Sequence, residues 1–365
     1  MDRKHILALA LVSALLTGAL LGCSSVAMPN VKQTMGAFHQ TNLVSDVGGN
    51  AAHTDPALIN PWGIAFMPGQ SFFIADNNSG TARVYDASGN ADSPVGFVIP
   101  PPPANTFPSA PTGVVFNPIP EDFIVRQNPA QFVFATEDGT ISTWSPINGN
   151  NPTSAFLTVD NSAGGAVYKG LAILTPDCCR EFLALTDFHN GVVATYGVQF
   201  ERVATQGTFT DPNLPRGYAP FNIQQIGTQV FVTYAVQDDA GRNPVTAPGN
   251  GIVSIFDQEG NFIRRFASNG PLNAPWGVVQ ASANFGPFSD DILVGNFGDG
   301  TINAFDPATG NFLGQLKDRS GRVIVNPGLW ALVFRPDGFG DPNTLYFTAG
   351  SADEKHGLFG KIAFQ

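Results

Sequence analysis

The chain is poor in charged residues, and those it has are unbalanced. Asp, Glu, Lys and Arg make up 13% of its 365 residues, with 29 acidic against 18 basic side chains and a formal net charge of −11. This sign opposes the neutralisation of phosphates on which nucleic-acid binding depends. We therefore expect no nucleic-acid partner. The surface should either repel other copies of the chain or attract cations.

Cysteine is also scarce, with three residues in the chain. Two of them, Cys178 and Cys179, are adjacent, and a disulfide between neighbours closes a strained ring. A pair of thiols in a turn is therefore favoured, although export would leave a vicinal disulfide as an alternative. No further ligand spacing surrounds the pair, so it indicates at most a weak metal site.

No segment has the length and apolar period of an amphipathic helix, which argues against an α/β fold. Turn formers and aromatic residues are abundant instead, with 40 Gly, 29 Pro and 30 Phe. Such residues favour many short β-strands separated by turns. The composition indicates an all-β protein, and the length allows one large domain or two modest ones.

The first 22 residues have the pattern of a signal peptide. Arg3 and Lys4 form a short basic region, and the apolar run at residues 6–16 is too short to span a bilayer comfortably. An ordinary signal peptide, removed after export, would fit this pattern. The residues that follow it favour a more specific prediction.

Residues 20–24, Leu-Leu-Gly-Cys-Ser, resemble the bacterial lipobox, in which the cysteine becomes the lipid-bearing first residue. This resemblance implies lipid attachment at Cys23, and several acyl chains would anchor the protein stably to a membrane. Ser24 in place of Asp implies sorting to the outer membrane. Residues 23–37 are then expected to form a flexible, lipidated tether. The alternative is an ordinary signal peptide in which the cysteine is incidental.

After the tether, the sequence repeats with a period of about fifty residues. The clearest copies are Asn-Pro-Trp-Gly-Ile at 60–64 and Ala-Pro-Trp-Gly-Val at 274–278, and four weaker copies give six starts in all. Each start opens a short apolar strand. A second strand then ends in a polar cluster, a Gly introduces a third strand, and a more polar fourth strand closes the unit. Four antiparallel strands per unit are typical of a β-propeller blade.

The first and last segments of the repeat region are expected to form one blade together. The last unit contains three strands, whereas residues 38–47 precede the first unit and belong to none. We predict that this segment supplies the outer strand of the sixth blade, so that no sheet edge is left exposed. The predicted fold is an all-β, six-bladed β-propeller over residues 38–365, closed by an N-terminal strand. A pair of β-sandwiches is the alternative, but it does not account for six similar units.

In a propeller, the chain enters the first strand of each blade (strand A) on the face where the second and third strands (B and C) are joined. The strand A starts and the B–C loops should therefore surround one end of the central channel, which we call the B–C mouth. The polar side chains expected there are Asp76, Asn77, Glu137, Asp138, Asp187, His189, Asn296 and Asp299.

Two further loops should reach the same mouth. The fourth unit has a long B–C insertion at residues 237–251, and a long loop on a rigid scaffold is a reasonable binding element. The sixth unit has polar residues at the equivalent place. The residues concerned are Asp238, Asp239 and Arg242 in the insertion and Asp353, Glu354 and His356 in the sixth unit.

These mouth residues have two interpretations. Asp, Asn and Gly are the residues that tight turns need, since their side chains cap local amides and Gly tolerates positive φ. Alternatively, oxygens from several blades could together hold Ca²⁺, which prefers many oxygen ligands. No contiguous calcium loop is present, so neither metal ligands nor catalytic residues can be assigned from spacing.

No known catalytic motif occurs in the sequence. It contains no G-x-S-x-G elbow and no phosphate-binding or dinucleotide fingerprint at a strand-to-helix junction. His189 and His356 fall in predicted B–C loops and could share a face, although a turn histidine is more often structural. Trp62 and Trp276 are expected to pack between blades rather than to stack on a ligand. The Pro-rich residues 94–111 favour a stiff spacer over a docking segment.

Four strings resemble a family of bacterial exported propeller proteins of unknown function. They are Asn-Pro-Trp-Gly at 60–63, Thr-Asp-Phe-His-Asn-Gly at 186–191, Gly-Asn-Phe-Gly-Asp-Gly at 295–300 and Leu-Tyr-Phe-Thr-Ala-Gly at 345–350. The chain is also distantly similar to NHL-repeat and gluconolactonase-like six-bladed propellers. That wider group implies calcium-dependent lactone hydrolysis or protein interaction, but no metal ligand carries over residue by residue.

Two functional hypotheses follow. The first is a non-enzymatic propeller at the bacterial envelope that binds a protein or small-molecule ligand. It rests on a complete scaffold without a recognisable catalytic set. The alternative is a calcium-dependent hydrolase of the lactonase type at the B–C mouth, where a cation would polarise a carbonyl and Asp187 or His189 would act as base.

Overall fold

The computed structural model describes residues 36–93, 96–105, 108–146, 153–177 and 180–365. The predicted signal peptide, the lipid-attachment residue Cys23, all but the last two residues of the tether and the Cys178–Cys179 pair lie outside the described residues. The described chain is almost entirely β-structure. Short turns of helix occur at Ser162–Gly164, Gly286–Phe288 and Ser351–Glu354.

Six blades follow one another along the chain, each an antiparallel sheet whose strands we letter A to D from the axis outward. Blade 1 comprises Pro61–Phe66, Phe72–Asp76, Thr81–Tyr85 and Phe97–Val98. Blade 2 comprises Pro111–Phe116, Phe132–Thr136, Thr140–Trp144 and Phe156–Asp160, with a small hairpin of Ile124–Val125 and Asn128–Pro129 in its A–B connection. Blade 3 comprises Tyr168–Asp177, Arg180–Asp187 and Val192–Tyr196.

The second half of the chain repeats this plan. Blade 4 comprises Tyr218–Ile226, Gln229–Val236, Ile252–Phe256 and Phe262–Ser268. Blade 5 comprises Pro275–Gln280, Ile292–Asn296, Ile302–Phe305 and Phe312–Gln315. Blade 6 comprises Leu329–Phe334, Leu345–Gly350, His356–Phe364 and Phe38–Ser45, with His53–Thr54 added beyond it. Each strand A contacts the A strands of both neighbouring blades, so the six close a ring around a central axis.

The predicted closure by the N-terminal segment is confirmed. Phe38–Ser45 pairs antiparallel with His356–Phe364, from Phe38 opposite Phe364 to Ser45 opposite Leu358. The ring of Phe38 also stacks on Phe288 of blade 5 at 5.9 Å between ring centres. Closure therefore joins the two ends of the chain and covers the edge that strand C of blade 6 would otherwise expose.

The prediction of four strands in every blade is wrong for blade 3, whose described sheet has three. Beyond Tyr196 the chain makes a single bridge to Arg202 and then leaves the sheet. Gly and Pro residues interrupt the following segment, and Phe209 adopts a positive φ of 51° there. Its ring packs on Phe256 of blade 4 instead, so this segment stabilises the junction between blades 3 and 4.

Strand alternation places apolar side chains on both faces of each blade, and they are buried against the blades on either side. Within the described residues, six apolar clusters lie between successive blades and a seventh lies on the axis. The repeated Gly of strand A allows close approach of neighbouring A strands. A Cβ at Gly63 would lie 2.6 Å from the Thr112 carbonyl oxygen, and one at Gly277 would lie 2.6 Å from that of Trp330.

Candidate functional site

The repeat places one residue from each blade on the axis, directly before the small or polar residue that packs on the next blade. We call these six residues the axial ring: Trp62, Thr112, Lys169, Phe221, Trp276 and Trp330. Trp62 stacks on Trp330 with ring centres 3.4 Å apart, and Trp276 meets both edge-on at 6.1 and 5.8 Å. Trp62 of blade 1 and Trp276 of blade 5 therefore both pack on Trp330 of blade 6, which lies between them, as the expected packing between blades requires, and they also meet each other at the axis.

A second layer of side chains covers the axial ring on the side of the B–C mouth. Phe297 stacks on Trp330 at 4.3 Å, and Phe188 lies 5.3 Å from Phe221. These aromatic rings come from blades 3 and 5, whereas Asn77 and Glu137 occupy the equivalent places in blades 1 and 2. The mouth therefore has an aromatic floor on one side and a polar floor on the other.

The polar floor is organised around a buried ion pair. The ammonium of Lys169, 1% exposed, is paired with the Glu137 carboxylate, and Asn77 Nδ2 donates to Glu137 Oε2 at 3.2 Å. Burial alone would raise the pKa of Glu137, but the Lys169 charge and these hydrogen bonds outweigh it and hold that pKa below its usual value. Lys169 Nζ also lies 5.0 Å above the Trp62 ring, within cation–π distance.

The B–C loop of blade 6 brings a second carboxyl to this pair. Ala352, Asp353 and Glu354 have φ values of 53°, 55° and 63°, a left-handed turn without glycine. Asn78 Nδ2 fixes the turn by donating to the Glu354 carbonyl oxygen at 2.6 Å. Burial, reinforced by the Glu137 charge and opposed by Lys169, raises the pKa of Glu354 to about 7. Near neutral pH this carboxyl is therefore divided between its protonated and charged forms.

The blade 4 insertion, residues 237–251, lies across the mouth. Its Gln237 Nε2 donates to the Phe188 carbonyl oxygen at 2.5 Å. An NH2 group of Arg242 lies 3.5 Å from the Glu137 carbonyl oxygen of blade 2. The insertion thus reaches from blade 4 over blades 3 and 2, and it borders the polar floor from above.

Two cavities of about 360 Å³ each open beside this insertion. The first is bordered by Glu137, Asp138 and Arg242. The second is bordered by Phe297 and by three carboxylates, those of Asp299, Asp353 and Glu354. The second cavity combines an aromatic ring with acidic side chains.

Most of the other predicted mouth residues stabilise their own blades. A side-chain oxygen of each accepts a hydrogen bond from a backbone N–H just before strand A of the same blade, at 2.8–3.1 Å. The pairs are Asp76 with Ile59, Asp138 with Ala110, Asp187 with Val167 and Asn296 with Asn273. Each of these bonds ties the end of strand B to the segment before strand A. Asp76 and Asp187 also accept hydrogen bonds from Ser79 and Asn190 in their own B–C turns, which is the turn-capping role that their residue types indicate.

The structure brings some predicted residues together and separates others. Asn77 contacts Glu137, and Asn296 Nδ2 lies 3.2 Å from Asp299 Oδ1. His189 is exposed, with its Nδ1 3.1 Å from the Ala240 carbonyl oxygen of the insertion. The Nδ1 atom of His356 instead lies 2.7 Å from Asp46 Oδ2, so the two histidines do not form one site.

These contacts bear on the calcium hypothesis. Within the described part of the chain, no group of three or more His, Cys, Asp and Glu side chains is arranged to hold a metal ion. The carboxylates of Asp76 and Asp187 are committed to backbone donors just before strand A and to side-chain donors in their own turns. The lactonase alternative is therefore not favoured. None of the helices among the described residues is long and apolar enough to cross a membrane.

No family model matches the chain. Its sequence is similar to uncharacterised proteins of Acanthamoeba polyphaga mimivirus. One is 34% identical over 331 residues, covering 88% of this chain and 78% of the relative. Another is 32% identical over 330 residues, covering 88% and 84%. These relatives are viral, so the bacterial source suggested by the sequence resemblance is not supported.

Solved structures share the fold at low sequence identity. A streptogramin B lyase superposes with a TM-score of 0.51 at 14% identity, covering 91% of this chain and 99% of the lyase. A glucose dehydrogenase gives a TM-score of 0.55 at 11% identity, covering 88% and 98%. A Bacteroides thetaiotaomicron protein of unknown function gives 0.53 at 11%, covering 90% and 76%. The likeness concerns the six-bladed propeller fold alone.

Proposed function

The chain belongs to the same family as these uncharacterised mimivirus proteins, and from that premise we propose that it is a non-enzymatic binding propeller. Its B–C mouth takes a small molecule or a partner segment that carries a cationic group. The observation that carries this proposal is the Glu354 carboxyl, held by a left-handed turn beside the buried Glu137–Lys169 pair.

Charge balance at the mouth favours a cation. Lys169 is paired with Glu137 rather than with Glu354. Burial is the main cause of the raised pKa of Glu354, and the Glu137 charge adds to it. A cationic group next to Glu354 would favour the charged carboxylate and lower its pKa again. The adjoining cavity adds Asp299, Asp353 and the Phe297 ring, and an aromatic ring also attracts ammonium groups.

The backbone at Glu354 supports a binding role in a second way. Residues in the left-handed region cost about 1–3 kcal/mol each unless glycine occupies the position. Such conformations persist where the surroundings hold them, and they concentrate at ligand clamps and switch regions. Three successive examples at the rim of a cavity fit a turn that holds a carboxyl in place for a ligand.

Attachment of the chain to a membrane would leave the B–C mouth accessible to a partner. The lipobox-like residues 20–24 support export and lipid anchoring at Cys23. Phe38, where the tether joins, pairs with Phe364 at the end of the closing strands farthest from the mouth. The B–C mouth would then lie on the face opposite the tether attachment, open to a partner.

Binding of ammonium and guanidinium compounds, each paired with a neutral isostere, tests the proposal. Choline and 3,3-dimethylbutan-1-ol are one such pair. We expect cations to bind more tightly than their neutral partners and to lose this preference in Glu354→Gln. The exposed Glu121→Gln, in the A–B connection of blade 2, is the matched control. A panel in which no cation outperforms its isostere would contradict the proposal.

A further inference from the structure

The A strands enclose a second space on the other side of the axial ring. It is a channel of about 450 Å³ along the propeller axis, lined by all six blades. Trp276 and Ala331 line it at the axial ring, and it extends to the distal ends of the A strands at Phe66 and Phe116. The axial ring separates this channel from the B–C mouth, so the two are distinct sites.

The channel wall is free of charge. In a chain with 29 acidic and 18 basic residues, none of the described residues that line the channel is Asp, Glu, Lys, Arg or His. Most of the lining residues have apolar side chains, and the amides of Asn222, Gln224 and Gln225 in blade 4 supply much of the polar side-chain chemistry. A charged ligand would lose its hydration there without a counter-ion, so the wall selects for a neutral one.

Two tryptophans of the axial ring have an indole N–H without an acceptor among the described residues, and one of them, Trp276, lines the inner end of the channel. Trp330 Nε1 donates to Asn60 Oδ1 at 2.9 Å. Trp276 is 5% exposed, and its Nε1 has no partner among the described residues. Trp62 Nε1 likewise has no hydrogen-bond partner among the described residues. Buried indole N–H groups normally find an acceptor, since leaving one unpaired costs free energy.

We propose that the axial channel binds a neutral, mainly apolar small molecule whose inner end carries an oxygen acceptor for the Trp276 indole N–H. The volume is within the range of small-molecule sites, and an apolar wall with a few placed polar groups is typical of them. The channel opens on the face where residues 36–37 join the closing strand, opposite the mouth. Such a ligand would enter without disturbing the Glu354 turn.

The test uses 4-phenylbutan-2-one and n-butylbenzene, which share an apolar body and differ in one carbonyl. The four tryptophans of the chain give separate indole N–H signals in a ¹⁵N spectrum, and Trp276→Phe assigns the relevant one. We expect the ketone to shift that signal and to bind roughly tenfold more tightly than the hydrocarbon. Trp276→Phe should remove this preference, whereas Trp144→Phe, between blades 1 and 2, should preserve it.

A blocking variant locates the binding. Val115 is half-buried and lines the channel, so Val115→Trp should abolish binding of both compounds while the B–C mouth keeps its preference for cations. Folding of each variant is checked by its thermal unfolding. The proposal is overturned if neither compound binds up to its solubility limit, if both bind equally, or if Trp276→Phe retains the ketone preference. Undiminished binding in a folded Val115→Trp would equally overturn it.

Discussion

Replacing Glu354 by Gln should change the pH dependence of stability in a defined direction. The raised pKa of Glu354 means that the folded state holds its proton more tightly than the unfolded state does. Between the ordinary value of 4.5 and about 7, the folded protein therefore binds more protons, and its free energy of unfolding falls as the pH rises. This contribution is fully present below that window and is lost above it.

The magnitude follows from the difference in pKa. At about 1.4 kcal/mol per pH unit, a rise from 4.5 to about 7 corresponds to about 3 kcal/mol. The side chain is partly exposed, so solvent screening lowers the expected effect to about 2 kcal/mol. Glu354→Gln, which stays neutral, should match the wild type near about pH 4 and be more stable by this amount near about pH 8.

Urea unfolding of both proteins across this pH range measures the difference directly. The pKa of Asp76 is also raised by burial, but that group is present in both proteins and cancels in the comparison. Glu121→Gln should stay within about 0.5 kcal/mol of the wild type at every pH. A stability difference between Glu354→Gln and the wild type that does not change with pH would refute the assigned environment of Glu354.

Three further perturbations test the fold. Gly63→Ala should lower the free energy of unfolding by about 2–3 kcal/mol, because its Cβ would meet backbone of the next blade, whereas Gly48→Ala, in open space, should have little effect in the same urea titration. Lys169→Met should destabilise by about 3–5 kcal/mol by leaving Glu137 buried without its partner, and adding Glu137→Gln should recover part of that loss in chemical unfolding. Deleting residues 1–45 should expose the edge of blade 6 and cause association visible by size-exclusion chromatography, and a monomer as stable as the full chain would count against the closure.

The fold was predictable because its information is local and repeated. Strand alternation, turn glycines and the Pro-Trp-Gly copies recur at one period, and the unpaired segment at residues 38–47 pointed to the strand that closes blade 6. Blade 3 departed from this pattern because its last segment packs Phe209 on blade 4 rather than extending the sheet. Nothing in its composition signals that alternative contact.

The candidate site was harder to predict from the sequence than the fold. Asp76 and Asp187 accept hydrogen bonds in their own turns, as their residue types indicate, but their bonds to the backbone before strand A were not predicted. The axial ring could be predicted from the sequence, since aligning the six strand A starts places Lys169 at the position of Trp62. The pairing of Lys169 with Glu137 could not, because it depends on how blades 2 and 3 are placed relative to each other. The left-handed turn at Glu354 could not be predicted from the sequence, because it contains no glycine to indicate a positive φ.

Proton release on binding tests the central claim most directly. Choline is titrated into the protein by calorimetry near about pH 7, in two buffers that differ in ionisation enthalpy. If the cation binds beside Glu354, the half-protonated carboxyl should release about half a proton per ligand, and Glu354→Gln should release none. Cation binding with the same heat in both buffers, or with equal proton release in Glu354→Gln, would contradict the account.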